Sequence, residues 1–369
     1  MKIIHCFRSP VGGIFRHVRD LLKEQVEAGH EVGFICDSST GGDYEDQLFS
    51  RIENDLALGL HKIPMARSIS PKDPITLFNV ARIIQKIGPD VVHSHSAKGG
   101  VYGRMAAKLA TSKGKATKAY YCPHGGAMHY DKASLKGKVF FAAERFMERY
   151  TDSLIFVSGY EQNAYAEKVG TPKCPQAIVY NGLADEEFEP VVLNDDAADF
   201  LYIGMMRDLK GPDIFVEAIN IARAQTGEDL TAVFVGDGED KPTYISRIQE
   251  LGLSDKISVH DAMPARKAFK MADTVVVPSR AESLPYLVLE AIAGCKPIVS
   301  TDVGGIHEIF GDRRNQLVQA DSAQALADAM ITMRNNQQRH AEASAFSVSL
   351  KDRFSVKAMA QGVEAIYSR

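Results

Sequence analysis

The chain has 369 residues, 45% hydrophobic and 24% charged, with a formal net charge of −4. At about 150 residues per domain the length points to two domains, and the mild acidity excludes a general nucleic-acid binder, which carries a basic surplus. Five cysteines (Cys6, Cys36, Cys122, Cys174 and Cys295) are scattered and never in C-x-x-C spacing, which speaks against a disulfide framework or zinc site and for a reducing compartment.

The opening "KIIHCF" is a short apolar strand that breaks at "RSPVGG". It has no signal-peptide core or cleavage site, and no run approaches the ~18 apolar residues of a spanning helix. The expected location is cytoplasmic. In "IFRHVRDLLKEQVEAG" the apolar residues Ile14, Val18, Leu21, Leu22 and Val26 recur close to a helical period, and "HEVGFIC" is a second strand. Strand, helix and strand with short connections make a βαβ unit of a parallel sheet. The rhythm continues through helix "PITLFNVARIIQKIG", strand "DVVHSH", helix "GGVYGRMAAKLA", strand "KAYYCPHG", a helix over residues 134–150, and strands "SLIFVS" and "AIVYNGL".

The stretch "LADEEFEPVVLNDDAAD" is acidic and aperiodic, and marks a domain junction. The rhythm then restarts with strand "DFLYIGMM", helix "PDIFVEAINIARAQ", strand "LTAVFVGDG", a helix around "TYISRIQELG", strand "KISVHD", helix "ARKAFKMA" and strand "TVVVPS". A final helix covers residues 355–369. Two βα series imply an α/β chain of two doubly wound, parallel-sheet domains facing across a cleft.

Gly12 and Gly13 sit between the first strand and first helix, in a turn that faces the carboxyl end of the sheet, where open α/β proteins bind ligands. Glycine lets a ligand approach the backbone, and a helix N-terminus favours an anion. The spacing is not G-x-G-x-x-G, so a plain βα turn is an equal reading. "SRAESLPYLVLEAIAGCKPIVSTDVGGIHEIF" carries a second signal. Leu284, Leu287, Val288, Ala291 and Ile292 form the core-facing stripe of a helix. Glu290 lies off that stripe, one turn beyond Tyr286, and leans back toward the loop of Glu282. Two carboxylates at one helix N-terminus suit a phosphate flanked by sugar hydroxyls.

The order of this stretch resembles the signature of the family 4 glycosyltransferases: a Pro-Ser strand end, Glu282, seven residues, Glu290-Ala, Gly-x-Pro-Ile-Val, then Val-Gly-Gly-Ile-x-Glu. "AGHEV", "DVVHSHS", "PHG", "FVS", "YNG", "FVGDG" and "ADTVVVPS" match in order over nearly the whole chain. The resemblance implies a GT-B fold of two Rossmann-like domains. Residues 1–185 would be the acceptor side, with helix 355–369 packed on it, and residues 186–354 would bind a nucleotide-diphosphate sugar. It implies a retaining transferase of the hexosyltransferase type that delivers sugar to a glycan or lipid-linked acceptor. Polysaccharide or lipopolysaccharide synthesis is the expected setting, with no cofactor or metal.

By the same resemblance, Glu282 would contact the transferred sugar and Glu290 the ribose diol. Lys210 would neutralise the diphosphate, Gly13 would admit it, and His124 would face the reacting sugar. Met205 stands where the family has arginine, so Arg207 is the candidate to supply that guanidinium. Pro285 replaces a glycine and has no N–H, leaving Tyr286 and Leu287 as phosphate donors.

His93 and His95 share a strand face, but no third metal ligand is evident, and cleft-lining histidines are the expectation. No two aspartates are two apart, so a D-x-D metal motif is missing. The segment "KASLKGKVFFAAERFMERY" interleaves basic and aromatic residues. It reads either as an ordinary amphipathic helix or as a peripheral membrane contact. The rival functions are a GT-B nucleotide-sugar epimerase and a two-domain sugar-binding protein without chemistry.

Overall fold

Every pairing between neighbouring strands is parallel. This follows from the sequence rhythm, because a crossover helix returns the chain to the same end of the sheet. The computed structural model describes every residue except 111–115, 127, 129 and 369. The chain divides into two compact units, Met1–Gly182 with Ser355–Arg369, and Leu183–Phe354.

The first unit runs β1 (Lys2–Phe7), α1 (Gly12–Glu27), β2 (Glu31–Asp37), α2 (Asp43–Ile52), β3 (Leu60–Ile63), α3 (Asp73–Ile87), β4 (Val91–His95), α4 (Ser96–Ala110), β5 (Lys118–Cys122), α5 (Leu135–Met147), β6 (Ser153–Phe156), α6 (Gly159–Lys168) and β7 (Gln176–Ile178). Its sheet order is β3-β2-β1-β4-β5-β6-β7. Alternation along β1 sends Ile3 and Phe7 to one face, against Val18 and Leu21 of α1. Ile4 and Cys6 go to the other, against Val80 and Ile84 of α3 and Ala106 of α4.

The second unit runs β8 (Ala198–Ile203), α7 (Pro212–Thr226), β9 (Ala232–Val235), α8 (Lys241–Glu250), β10 (Ile257–His260), α9 (Ala265–Phe269), β11 (Ala272–Val277), α10 (Tyr286–Ala293), β12 (Ile298–Ser300), α11 (Ile306–Phe310), α12 (Ala323–Asn335) and α13 (Arg339–Leu350). Its sheet order is β10-β9-β8-β11-β12. The last helix, α14 (Val356–Tyr367), rejoins the first unit. It buries Met359, Val363 and Ile366 in the cluster that holds α1. Arg369, the end of the expected helix 355–369, lies outside the described residues.

Six elements, α2, β3, α6, α11, α12 and α13, had no counterpart in the sequence reading, and α11 is only five residues long. α2 buries only Leu48 and Phe49, and β3 is a four-residue edge strand. The buried face of α6 includes Glu161. α12 and α13 bury small residues such as Ala327, Ala343 and Ser347. α6 and α13 lack the apolar–polar contrast that marks an amphipathic helix, whereas α2 has that contrast but spans only ten residues and buries two side chains. One reading needs correction: Leu287 is not part of the core stripe. α10 buries Tyr286, Val288, Leu289, Ala291, Ile292 and Ala293 around most of its circumference. Leu287 and Glu290, three residues apart, are only half-buried and share the remaining strip.

Candidate active site

Ligands of open parallel sheets bind beyond the strand ends, where the strand order reverses. In the five-stranded sheet the chain moves outward from β8 to β9 and β10, then restarts on the other side with β11 and β12. The reversal lies between β8 and β11. The loops leaving those two strands carry Arg207, Lys210 and Glu282.

Arg280 fastens the two loops together. Its backbone N–H donates to the Leu209 carbonyl at 3.0 Å, and its guanidinium donates to the Asp208 carbonyl at 2.6 Å. The same guanidinium forks onto Asp213 at 2.8 and 2.6 Å and reaches Asp321 at 2.6 Å. Burial alone would raise the Asp213 carboxyl, but the Arg280 fork holds it below the usual carboxylate range. Gly304 has φ +59°, and a Cβ there would stand 1.8 Å from the Glu282 carbonyl oxygen. Only glycine lets the loop after β12 pass so close.

Glu282 Oε1 accepts from Lys210 Nζ at 2.5 Å and from Ser279 Oγ at 2.7 Å. The Glu282 side chain is 9% exposed and that of Lys210 is 26% exposed. Arg207 precedes the 3₁₀ turn Asp208–Lys210, and Lys210 N donates to its carbonyl at 2.9 Å. Among the described residues its guanidinium forms no ion pair, and its Nε is buried without a hydrogen bond. Two cations and a carboxylate thus sit in loops at the carboxyl ends of two interior strands. Glu290 follows on α10, one turn beyond Tyr286. Ser279 and Arg280 were missed in the sequence reading, because a serine and an arginine flanking a strand end look like ordinary turn residues.

The first unit reverses its strand order between β1 and β4. Gly12 and Gly13, expected in a loop before the helix, form the first turn of α1, and Gly12 has φ +62°. Five histidines gather near this point. His5 on β1 pairs in register with His93 on β4. His17 comes from α1, His95 ends β4, and His124 follows β5 with φ +51°. His5 Nδ1 lies 2.9 Å from His95 Nε2, and His95 Nδ1 lies 3.0 Å from His124 Nε2. His5 Nε2 meets Gln25 Oε1 at 2.9 Å, His17 Nδ1 meets Asn181 Oδ1 at 3.0 Å, and His93 Nδ1 meets the Tyr367 hydroxyl at 2.7 Å. Burial pushes His5 and His17 down to about 4 and the other three well below the ordinary histidine range. All five are therefore neutral near pH 7.

The sequence showed no third imidazole beside His93 and His95; the structure supplies three. Two triads, His5–His93–His95 and His17–His95–His124, bring ring nitrogens within 4.8 Å of one another. Two nitrogens on a tetrahedral zinc stand roughly 3.4 Å apart, given bond lengths of about 2.0–2.1 Å. The 2.9 and 3.0 Å contacts are shorter and match shared protons. We therefore read the cluster as hydrogen-bonded. His5, His17 and Gln25 were hidden in the sequence, because only strand register and helix packing bring them to His95.

Two doubly wound parallel-sheet units of this kind are the GT-B architecture. The structure of Anabaena HepE in complex with UDP and glucose superposes with a TM-score of 0.80, covering 100% of this chain and 99% of that one at 17% identity. Residues 11–187 match the family described as Glycosyltransferase Family 4, and residues 184–347 match Glycosyl transferases group 1. The chain belongs to the family 4 glycosyltransferases and is a glycosyltransferase. An uncharacterized glycosyltransferase of Methanocaldococcus jannaschii is 26% identical, covering 97% of this chain and 94% of its own length. The UDP-Gal:alpha-D-GlcNAc-diphosphoundecaprenol alpha-1,3-galactosyltransferase of Escherichia coli is 26% identical over 83% of this chain and 80% of its own.

Proposed function

We propose that the chain moves a sugar from a nucleotide-diphosphate donor to a hydroxyl of a glycan or lipid-linked acceptor, with anomeric configuration kept, in surface polysaccharide or lipopolysaccharide assembly. The observation that carries this reading is the Lys210–Glu282 pair at the reversal of the second sheet, beside Arg207. The Escherichia coli relative, named for UDP-galactose and a diphosphoundecaprenol acceptor, supports a UDP-sugar donor and a lipid-linked acceptor.

The chemistry follows from charge. The bond from the anomeric carbon to the diphosphate oxygen breaks, and its electron pair leaves on the diphosphate. Lys210, Arg207 and the backbone amides that open α10, at Tyr286 and Leu287, stabilise that developing charge without a metal. A diphosphate competes for the Lys210 ammonium, and Glu282 is then released to accept hydrogen bonds from sugar hydroxyls. Glu290 takes the ribose diol. By the family resemblance, Gly12 and Gly13 are assigned to the donor's phosphates and His124 to the reacting sugar. The acceptor hydroxyl attacks the face the diphosphate leaves, and its proton passes to the departing phosphate oxygen.

The reading is tested by incubating the protein with UDP-, GDP- and ADP-sugars, with and without an acceptor extract. Nucleoside diphosphate should appear together with a glycosylated acceptor. Conversion of the donor in the absence of acceptor would mark an epimerase instead, and binding without any turnover would mark a sugar-binding protein.

Membrane contact is the second part of the proposal, and α5 motivates it. The helix faces inward with Phe141, Glu144 and Met147. Arg104 Nη2 donates to Glu144 Oε2 at 2.9 Å and its guanidinium stacks on the Tyr121 ring, which anchors the helix. Outward it shows Leu135, Val139 and Phe146, which are 79%, 50% and 47% exposed, among exposed Lys136 and Lys138, with Arg149 just beyond. An apolar and basic outer face suits anionic headgroups. Among the described residues no helix is long and apolar enough to cross a membrane. Wild-type protein should float with anionic liposomes, and the double change Lys136→Glu and Lys138→Glu should largely abolish flotation. Equal behaviour of the two proteins would assign α5 to packing alone.

A further inference from the structure

A neutral imidazole has one donor nitrogen and one acceptor nitrogen, so a chain of them has a direction. The direction here starts at Gln25, fully buried on α1. Its Oε1 is a carbonyl oxygen and only accepts, so His5 Nε2 carries the hydrogen. His5 Nδ1 is then bare and accepts from His95 Nε2–H at 2.9 Å. His95 Nδ1 is bare in turn and accepts from His124 Nε2–H at 3.0 Å. The last proton is therefore on His124 Nε2, and the last lone pair is on His124 Nδ1. The rings repeat the same geometry along the chain: His5 to His95 and His95 to His124 each meet edge to edge, with centroids 5.2 Å apart and planes at 27°, as in-plane N–H···N hydrogen bonds require. His124 is the one ring of the three that is not fully buried.

We propose that Gln25, His5 and His95 are positioning residues that hold His124 as its Nε2–H tautomer, so that it meets the substrate through a bare Nδ1 and accepts a hydrogen bond from a hydroxyl. This rests on the assignment of His124 to the reacting sugar. A lone pair at that position suits a sugar or acceptor hydroxyl and repels a phosphate oxygen. The relay ends inside the core on an amide, so it orients His124 and carries no proton to solvent. Burial supports it, since His5 is held at about 4 and His95 and His124 well below their ordinary range, which keeps every ring neutral.

The test is long-range ¹H–¹⁵N correlation of the full chain with ¹⁵N-labelled histidine near neutral pH, the His124 signal being identified by its loss in His124→Gln. The expected spectrum has His124 protonated on Nε2 and bare on Nδ1. An Nδ1–H tautomer, or an average of the two, would overturn the proposal. Gln25→Leu removes the acceptor and keeps the volume. It should move the His124 signal toward a mixture and lower kcat about two- to tenfold, since only a fraction of the population is then competent. Nucleoside diphosphate affinity should stay unchanged. Gln25→Glu keeps an acceptor in place and should retain the tautomer and more activity than Gln25→Leu. A purely structural role gives the reverse order, because a carboxylate is harder to bury there than leucine. Full activity in His124→Gln, with the wild-type tautomer as expected, would overturn the assignment of His124 to the substrate and leave the relay standing.

Discussion

Replacing Lys210 by alanine is expected to lower kcat by about 100- to 1,000-fold, the usual cost of deleting one preorganised group that meets developing charge. The ammonium sits on the loop after β8 and already pairs with Glu282 at 2.5 Å. Its task in the proposed reaction is to take up the negative charge of the departing diphosphate. Nucleoside diphosphate binding should weaken as well, because product and leaving group are the same species. The change also leaves Glu282 without its cation, so thermal denaturation belongs beside the kinetics. A folded protein with lost turnover supports the assignment. Lys210→Arg, which keeps the charge, should recover part of the rate. Unchanged kcat and unchanged affinity in a folded Lys210→Ala protein would make the Lys210–Glu282 pair a structural contact.

Glu282 and Glu290 should fail in different ways. Glu290 is assigned to the ribose, which is common to donor and product. Glu290→Ala should weaken donor and nucleoside diphosphate alike by about 1–3 kcal/mol, roughly 5- to 150-fold in Kd. Glu282 is assigned to the sugar, whose charge and shape change as it leaves. Its loss should fall mainly on kcat, because contacts that strengthen in the transition state raise the rate. Free nucleoside diphosphate should bind Glu282→Ala as well as wild type or better, since the Lys210 ammonium is no longer engaged by the carboxylate. Calorimetry with the nucleoside diphosphate, run beside steady-state kinetics, separates the two. Equal loss of product affinity in both variants would overturn the division of the donor between the two carboxylates.

The fold was legible because both domains repeat one unit, an apolar strand followed by an amphipathic helix. The elements that escaped notice bury few or small side chains, as α2 and α13 do, or place a glutamate inside, as α6 does with Glu161. The glutamate pair was legible because Glu282 and Glu290 are close in sequence on one loop and helix. The contacts around Glu282 were not, since Lys210 lies 72 residues away and Arg280 bridges Asp213 to Asp321. The histidine relay was less visible still. His-x-His on β4 was noticed as a pair, yet its meaning depends on the register of β1 and on Gln25 and His17 reaching the sheet from α1. Side chains brought together by strand order leave no local pattern in a single sequence.

The proposed mechanism stands or falls on metal-free transfer with retention, and NMR of the turnover mixture tests both together. The protein is mixed with UDP-galactose, whose sugar is α-linked, and a diphosphate-lipid acceptor in excess EDTA, and the anomeric proton of the new glycoside is followed. An α-glycoside should accumulate as UDP is released, at a rate little changed by adding Mg²⁺ or Mn²⁺. A β-glycoside, or no turnover until a divalent cation is supplied, would contradict that mechanism.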